Sequence, residues 1–273
     1  MHPVIDLSPP AAPERPGAVD PGPPAVLLLH GQPGLAVEWF RVVELLAPTC
    51  RLVVPDRPGY DGRPQRATDW AANAEAAVQL LDELGLARAV VVAFSWATGA
   101  ALELALRFPD RVRGLVLVGS VGGPGAVTRS DRLVTLPGVL PLGAAMLTRT
   151  GPRLADLIAW SAGSRLDADT LRALRAVVGL WRERGAWRAA AVEQRFLVRD
   201  AAGLKRRVAG VQAPAVVVAG TRDPYIPMRS AVVLAHTLPR GRLVRVEAGH
   251  LMTVETPSLV AAAVLELLSE PSA

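Results

Sequence analysis

The stretch Ala89–Arg107, "AVVVAFSWATGAALELALR", decides the fold. Six apolar residues, Ala89–Phe94, form a strand-length run with apolar side chains on both faces. Such a run suits a parallel sheet covered by helices on each side. Ser95 follows at once, and a helix of small residues begins directly behind it. A serine here is either a nucleophile on a strained strand-to-helix turn or a side chain capping the helix. Ala93 and Ala97 stand where a nucleophile turn usually carries glycine, and both are small enough for strand and helix to pass closely.

Outward from this unit the pattern repeats. "AVLLLH" (Ala25–His30), "RLVVPD" (Arg51–Asp56), "GLVLVGS" (Gly114–Ser120), "APAVVVAG" (Ala213–Gly220) and "RLVRVE" (Arg242–Glu247) read as strands. Helical patterns lie between them, and "TPSLVAAAVLELL" closes the chain as a helix with Pro257 in its first turn. The alternation predicts a doubly wound α/β fold: a mostly parallel sheet with helices on both faces. From residue 121 to 208 no strand is predicted. In "DTLRALRAVVGLWRERG", Leu171, Leu174, Val178 and Trp181 share one helical face and Asp169 is the expected N-cap. Residues 121–208 therefore form a helical insertion between two parts of a core, 1–120 and 209–273.

The chain of 273 residues carries a net charge of +5, almost all of its cations being arginine. They are spread along the chain without a nucleic-acid motif, so solvated surface is the reading, and no nucleic acid is expected as a partner. Four histidines and the single cysteine, Cys50, are too scattered for a metal cage. Cys50 opens a strand and is expected to be a buried apolar residue. One cysteine, no signal peptide and no apolar run long enough for a bilayer predict a cytoplasmic protein without a membrane span.

Four loops at strand ends carry the chemistry: "HGQPG" (His30–Gly34), the turn at Ser95, "AGTRDPYIP" (Ala219–Pro227) and "EAGHLMTVETP" (Glu247–Pro257). Open α/β sheets bind ligands at the carboxyl ends of their strands. Each loop alone has a bland explanation. Together they place Ser95, Asp223 and His250 in the order Ser…Asp…His, each after its own strand.

With "DRPGY" (Asp56–Tyr60), "AFSWATG", "GTRDPYIP" and "GHLMTVETP", the sequence resembles the α/β-hydrolase family in its lid-bearing serine-hydrolase branch, from about Ala25 onward. The resemblance implies a Ser95–His250–Asp223 catalytic triad, an oxyanion hole of the Gln32 and Trp96 backbone N–H groups, and a lid at 121–208. It departs in three places. The turn has alanine at both glycine positions, the family's D-x-R-G-x-G-x-S stretch reads "DRPGYDGRP", and the usual opening hairpin reduces to one strand at Pro3–Leu7 before a proline-rich segment. The expected function is hydrolysis of an ester or related acyl bond of a small apolar molecule, with no cofactor. The expected pocket residues are Trp39, Phe94, Trp160, Trp181, Leu251 and Met252. Carbon–carbon hydrolase, lactonase, thioesterase and aminopeptidase activities share the triad. For an aminopeptidase, Glu193 is the candidate acid, against its reading as a solvated helix charge. A non-catalytic ligand-binding protein on this scaffold is the alternative of another class.

Overall fold

The computed structural model describes residues 4–9, 23–62, 67–123, 125–136, 138–139, 153–183 and 186–270. Its strands are β1 (Val4–Leu7), β2 (Ala25–Leu29), β3 (Arg51–Pro55), β4 (Ala89–Phe94), β5 (Val112–Val118), β6 (Ala215–Gly220) and β7 (Gly241–Val246). They form one sheet in the order β1-β3-β2-β4-β5-β6-β7. All pairings are parallel except β1 with β3, whose register runs from Val4 opposite Pro55 to Leu7 opposite Leu52. The expected first strand thus becomes an antiparallel edge. The question of a second hairpin strand falls on residues 10–22, outside the described residues.

The helices are α1 (Phe40–Leu46), α2 (Trp70–Glu83), α3 (Ala97–Arg107), α4 (Arg129–Val134), α5 (Arg153–Ser161), α6 (Ala168–Glu183), α7 (Ala186–Arg207), α8 (Met228–Thr237), α9 (Met252–Glu255) and α10 (Pro257–Ser269). The period-two alternation of the strands divides the core. Val91 and Ala93 face a cluster with α2, α3 and α8, whereas Val90, Val92 and Phe94 face one with α1 and α10. Cys50 lies wholly buried in the second cluster, as its sequence position implied. The doubly wound, mostly parallel architecture is the one the sequence predicts.

Helix α3 approaches α2 closely. A Cβ on Gly99 would stand 2.2 Å from Trp70 Cε2, so only glycine fits there. Between β5 and β6 the described residues contain helices and no strand. Helices α5–α7 have their own apolar cluster, in which Leu154, Leu174, Val178 and Trp181 meet Leu35 and Tyr60 of the sheet's loops. The N-cap of α6 shifts from the expectation: the Asp167 carboxylate accepts the Thr170 N–H at 2.7 Å, and Asp169 lies in the first turn. No helix among the described residues is long and apolar enough to cross a membrane.

Candidate active site

Ser95 stands between β4 and α3 with φ = 52°, and no other non-glycine described residue has a positive φ. Its N–H donates to Val118 O at 2.8 Å, so the turn is fastened to β5. Its carbonyl accepts the Thr98 N–H at 3.0 Å and the Thr98 hydroxyl at 2.6 Å. Helix α3 has no side-chain cap, which leaves the Ser95 hydroxyl free for other partners. Ala93 and Ala97 are fully buried where strand and helix converge.

The Ser95 Oγ lies 3.0 Å from His250 Nε2, and His250 Nδ1 lies 2.7 Å from Asp223 Oδ2. The other Asp223 oxygen, Oδ1, accepts the N–H groups of Tyr225 and Ile226 at 2.8 and 3.0 Å. The carboxylate is therefore locked by its own loop before it meets the imidazole. Phe94 and Tyr225 hold the ring between them, with centroids 5.0 and 5.1 Å away. The histidine loop is pinned as well. Glu255 Oε2 accepts the Gly249 N–H at 2.9 Å, and Glu255 Oε1 accepts from Arg222 and from the Arg165 N–H. His250 N–H donates to Ala162 O at 2.7 Å and Leu251 N–H to Ser164 Oγ at 3.0 Å. A hydroxyl, an imidazole and a carboxylate in this row can pass the hydroxyl proton to nitrogen while the carboxylate balances the resulting charge.

The amides of Gln32 and Trp96 have no acceptor among the described residues. Behind them lies a buried polar cluster. Arg57, after β3, sits with its guanidinium 4.7 Å above the Trp96 ring. It forms an ion pair with Glu193 of α7, both side chains almost wholly buried. Glu193 also accepts the Tyr60 hydroxyl at 2.7 Å. Burial pushes the Glu193 carboxyl above its usual range, and the facing Arg57 charge pulls it back. Burial also holds His30 well below its ordinary value, reinforced by Arg57. That keeps its ring neutral, accepting the Arg57 N–H at Nε2 (3.0 Å) and donating from Nδ1 to Gly31 O (3.0 Å). Glu193 is thus no solvated charge, nor is it open to a substrate amine. Its place in the stripe Ala186, Ala189, Ala190, Glu193, Leu197 was the available signal of burial.

A cavity of about 290 Å³ opens on Ser95 and His250. Phe94, Trp181 and Leu251 line it, together with Trp187, Phe40 and Ile158. Three expected pocket residues lie elsewhere. Trp39 and Met252 turn into the cluster between sheet, α1 and α10 and are fully buried there. Trp160 is 78% exposed, on the outer side of α5. Glu38 also lines the cavity, its Oε1 accepting from Trp181 Nε1 at 2.7 Å and Leu35 N–H at 2.8 Å. Burial raises the Glu38 carboxyl to about 8. No arginine or lysine lines the cavity among the described residues.

Comparison with known proteins identifies the fold and the family. The chain is 31% identical over 259 residues to the 2-hydroxymuconate semialdehyde hydrolase of Pseudomonas sp. (strain CF600), covering 91% of this chain and 88% of that protein. It is 27% identical to the poly(3-hydroxyalkanoate) depolymerase of Ectopseudomonas oleovorans, covering 93% and 88%. The crystal structure of the enol-lactonase from Burkholderia xenovorans LB400 shares the fold, with a TM-score of 0.68, 20% identity and 98% and 96% coverage. The family model for the alpha/beta hydrolase fold matches residues 24–257, and the chain belongs to that family of hydrolases.

Proposed function

We propose that the protein is a serine hydrolase that cleaves an ester or related acyl bond of a small, neutral and largely apolar molecule. The observation that carries this reading is the Ser95–His250–Asp223 row at the mouth of an apolar cavity. Ser95 Oγ attacks the acyl carbonyl and its proton passes to His250 Nε2. Asp223 holds the Nδ1–H and balances the imidazolium. The tetrahedral oxyanion lies between the N–H groups of Gln32 and Trp96. One such donor typically contributes about 10²–10³ in rate. His250 then returns the proton to the leaving group, and a water activated by the same nitrogen hydrolyses the acyl-enzyme. Residues 121–208 act as the lid, α5–α7 supplying one wall of the cavity.

A carbon–carbon hydrolase on the same triad is the second reading, favoured by the likeness to 2-hydroxymuconate semialdehyde hydrolase. The lining argues for neutral esters instead. A substrate carboxylate in this cavity would find no arginine or lysine among the described lining residues. The test is labelling with a fluorophosphonate probe followed by rates on p-nitrophenyl esters of graded acyl length. Labelling at Ser95, absent in Ser95→Ala, with rates rising as the apolar acyl chain lengthens, is expected. A wild-type protein that neither labels nor hydrolyses the esters overturns the reading.

A further inference from the structure

We infer that Arg57, held by Glu193, is a positioning residue that fixes the Gly31–Gln32 peptide so that the Gln32 N–H faces the substrate oxyanion. The inference rests on the serine-hydrolase reading above and adds to it the device that keeps the hole formed.

The peptide itself supplies the geometry. The Gly31–Gln32 peptide bond is trans. A trans peptide points its carbonyl and its N–H in opposite directions. Gly31 O accepts Arg57 Nη2 at 2.7 Å and His30 Nδ1 at 3.0 Å, so both lone pairs of the carbonyl are occupied by groups that do not line the cavity. Arg57 Nε also donates to His30 O at 2.8 Å, which fixes the preceding peptide. The loop passes directly beside the reactive serine: a Cβ on Gly31 would lie 3.3 Å from Ser95 Cβ and 2.8 Å from the Phe94 ring. The Gln32 N–H, opposite the held carbonyl, is thereby aimed past Ser95. Turning the peptide over would break two buried hydrogen bonds, one of them charge-assisted, and leave the carbonyl unpaired.

Arg57 and the Glu193 main chain also hold the residue that carries the second amide of the hole. The Trp96 indole Nε1–H donates to Glu193 O at 3.0 Å, and the Arg57 guanidinium lies over the Trp96 ring. One residue of α7 therefore anchors both loops that carry the oxyanion donors. A cation on the Gly31 carbonyl also polarises that peptide and strengthens its N–H as a donor.

The test uses two variants of the full chain, Arg57→Lys and the apolar double variant Arg57→Met/Glu193→Leu. The second leaves no uncompensated buried charge and so guards against simple misfolding. Circular dichroism sets the temperature at which both keep the wild-type fold. Four quantities are read: kcat, KM, and the inhibition constants of a trifluoromethyl ketone and of an uncharged amide with the same apolar tail. The ketone adduct places an oxyanion in the hole and the amide does not. The expected result is a kcat lower by about 10- to 100-fold with KM little changed, and ketone affinity falling in parallel while amide affinity holds. Folded variants with wild-type kcat and ketone affinity overturn the inference. So does an equal loss for ketone and amide, which marks a general loosening of the cavity. Failure of the wild type to label at Ser95 overturns the serine-hydrolase reading itself and is seen before any variant is made.

Discussion

Ser95 is held at φ = 52°, a conformation that costs a residue with a Cβ roughly 1–3 kcal/mol. Ser95→Gly removes both that strain and the hydroxyl. We expect it to melt higher than Ser95→Ala in a thermal scan while hydrolysing no ester, because alanine keeps the Cβ and glycine does not. Ala97→Gly should keep wild-type activity or exceed it, since the turn asks only for a small side chain; complete loss of activity would contradict the assignment of the turn. Glu38 supplies a pH signature. Its carboxyl titrates near 4.5 when unfolded and at about 8 in the fold, so between these values the native state binds the extra proton. Stability contributed by this group is full below about pH 4.5 and declines as pH rises towards 8. Glu38→Gln keeps an acceptor for Leu35 N–H and Trp181 Nε1–H, and its stability relative to wild type should rise across pH 5 to 8 in denaturant titrations. Ser95, Asp223 and His250 were legible because each sits in a loop behind its own strand. Glu38 and Arg57 were not, since their roles come from what is packed over them by α6 and α7, far along the chain.

The elements were read well where periodicity is strong. Ala89–Phe94 forms a strand over the residues predicted, and the other predicted strands stay within two residues of their bounds. Side-chain direction was the weak point. Trp39 and Trp181 have the same chemistry in sequence, yet one faces the core beneath α1 and the other the cavity. Only the docking of α6 against the loop after β2 decides between them. Two substitutions probe how elements are locked together. Gly99→Ala gains up to about 1 kcal/mol of helix propensity but drives a methyl into a ring whose Nε1–H is bonded to Trp96 O, so it cannot yield. A net loss of about 1–3 kcal/mol is expected in chemical denaturation. Glu255→Ala removes the acceptor of the Gly249 and Arg165 N–H groups and of Arg222. It should lower both the melting temperature and kcat, because the loop it frees carries His250.

At the scale of the whole molecule, the proposed function makes the described cavity lining and its charge the determinant of the substrate range. A neutral p-nitrophenyl ester should outpace its analogue bearing a carboxylate at the end of the acyl chain by at least about tenfold in kcat/KM, the cost of an unpaired buried charge being well above 1.4 kcal/mol. Equal rates would mean that a cation reaches the cavity. The class of fold followed directly from strand–helix alternation, whereas the cavity is made by contacts between the insertion and loops distant from it in sequence. The two bonds that run from Ala162 and Ser164 to the histidine loop have a practical meaning for anyone exchanging insertions between relatives. They tie this stretch to the frame of the candidate site although it lies inside the insertion. A transplant cut at its outer ends removes the brace of the His250 loop along with helices α5–α7. A working chimera must keep residues 162–165 from the host and join the foreign helices on either side of them.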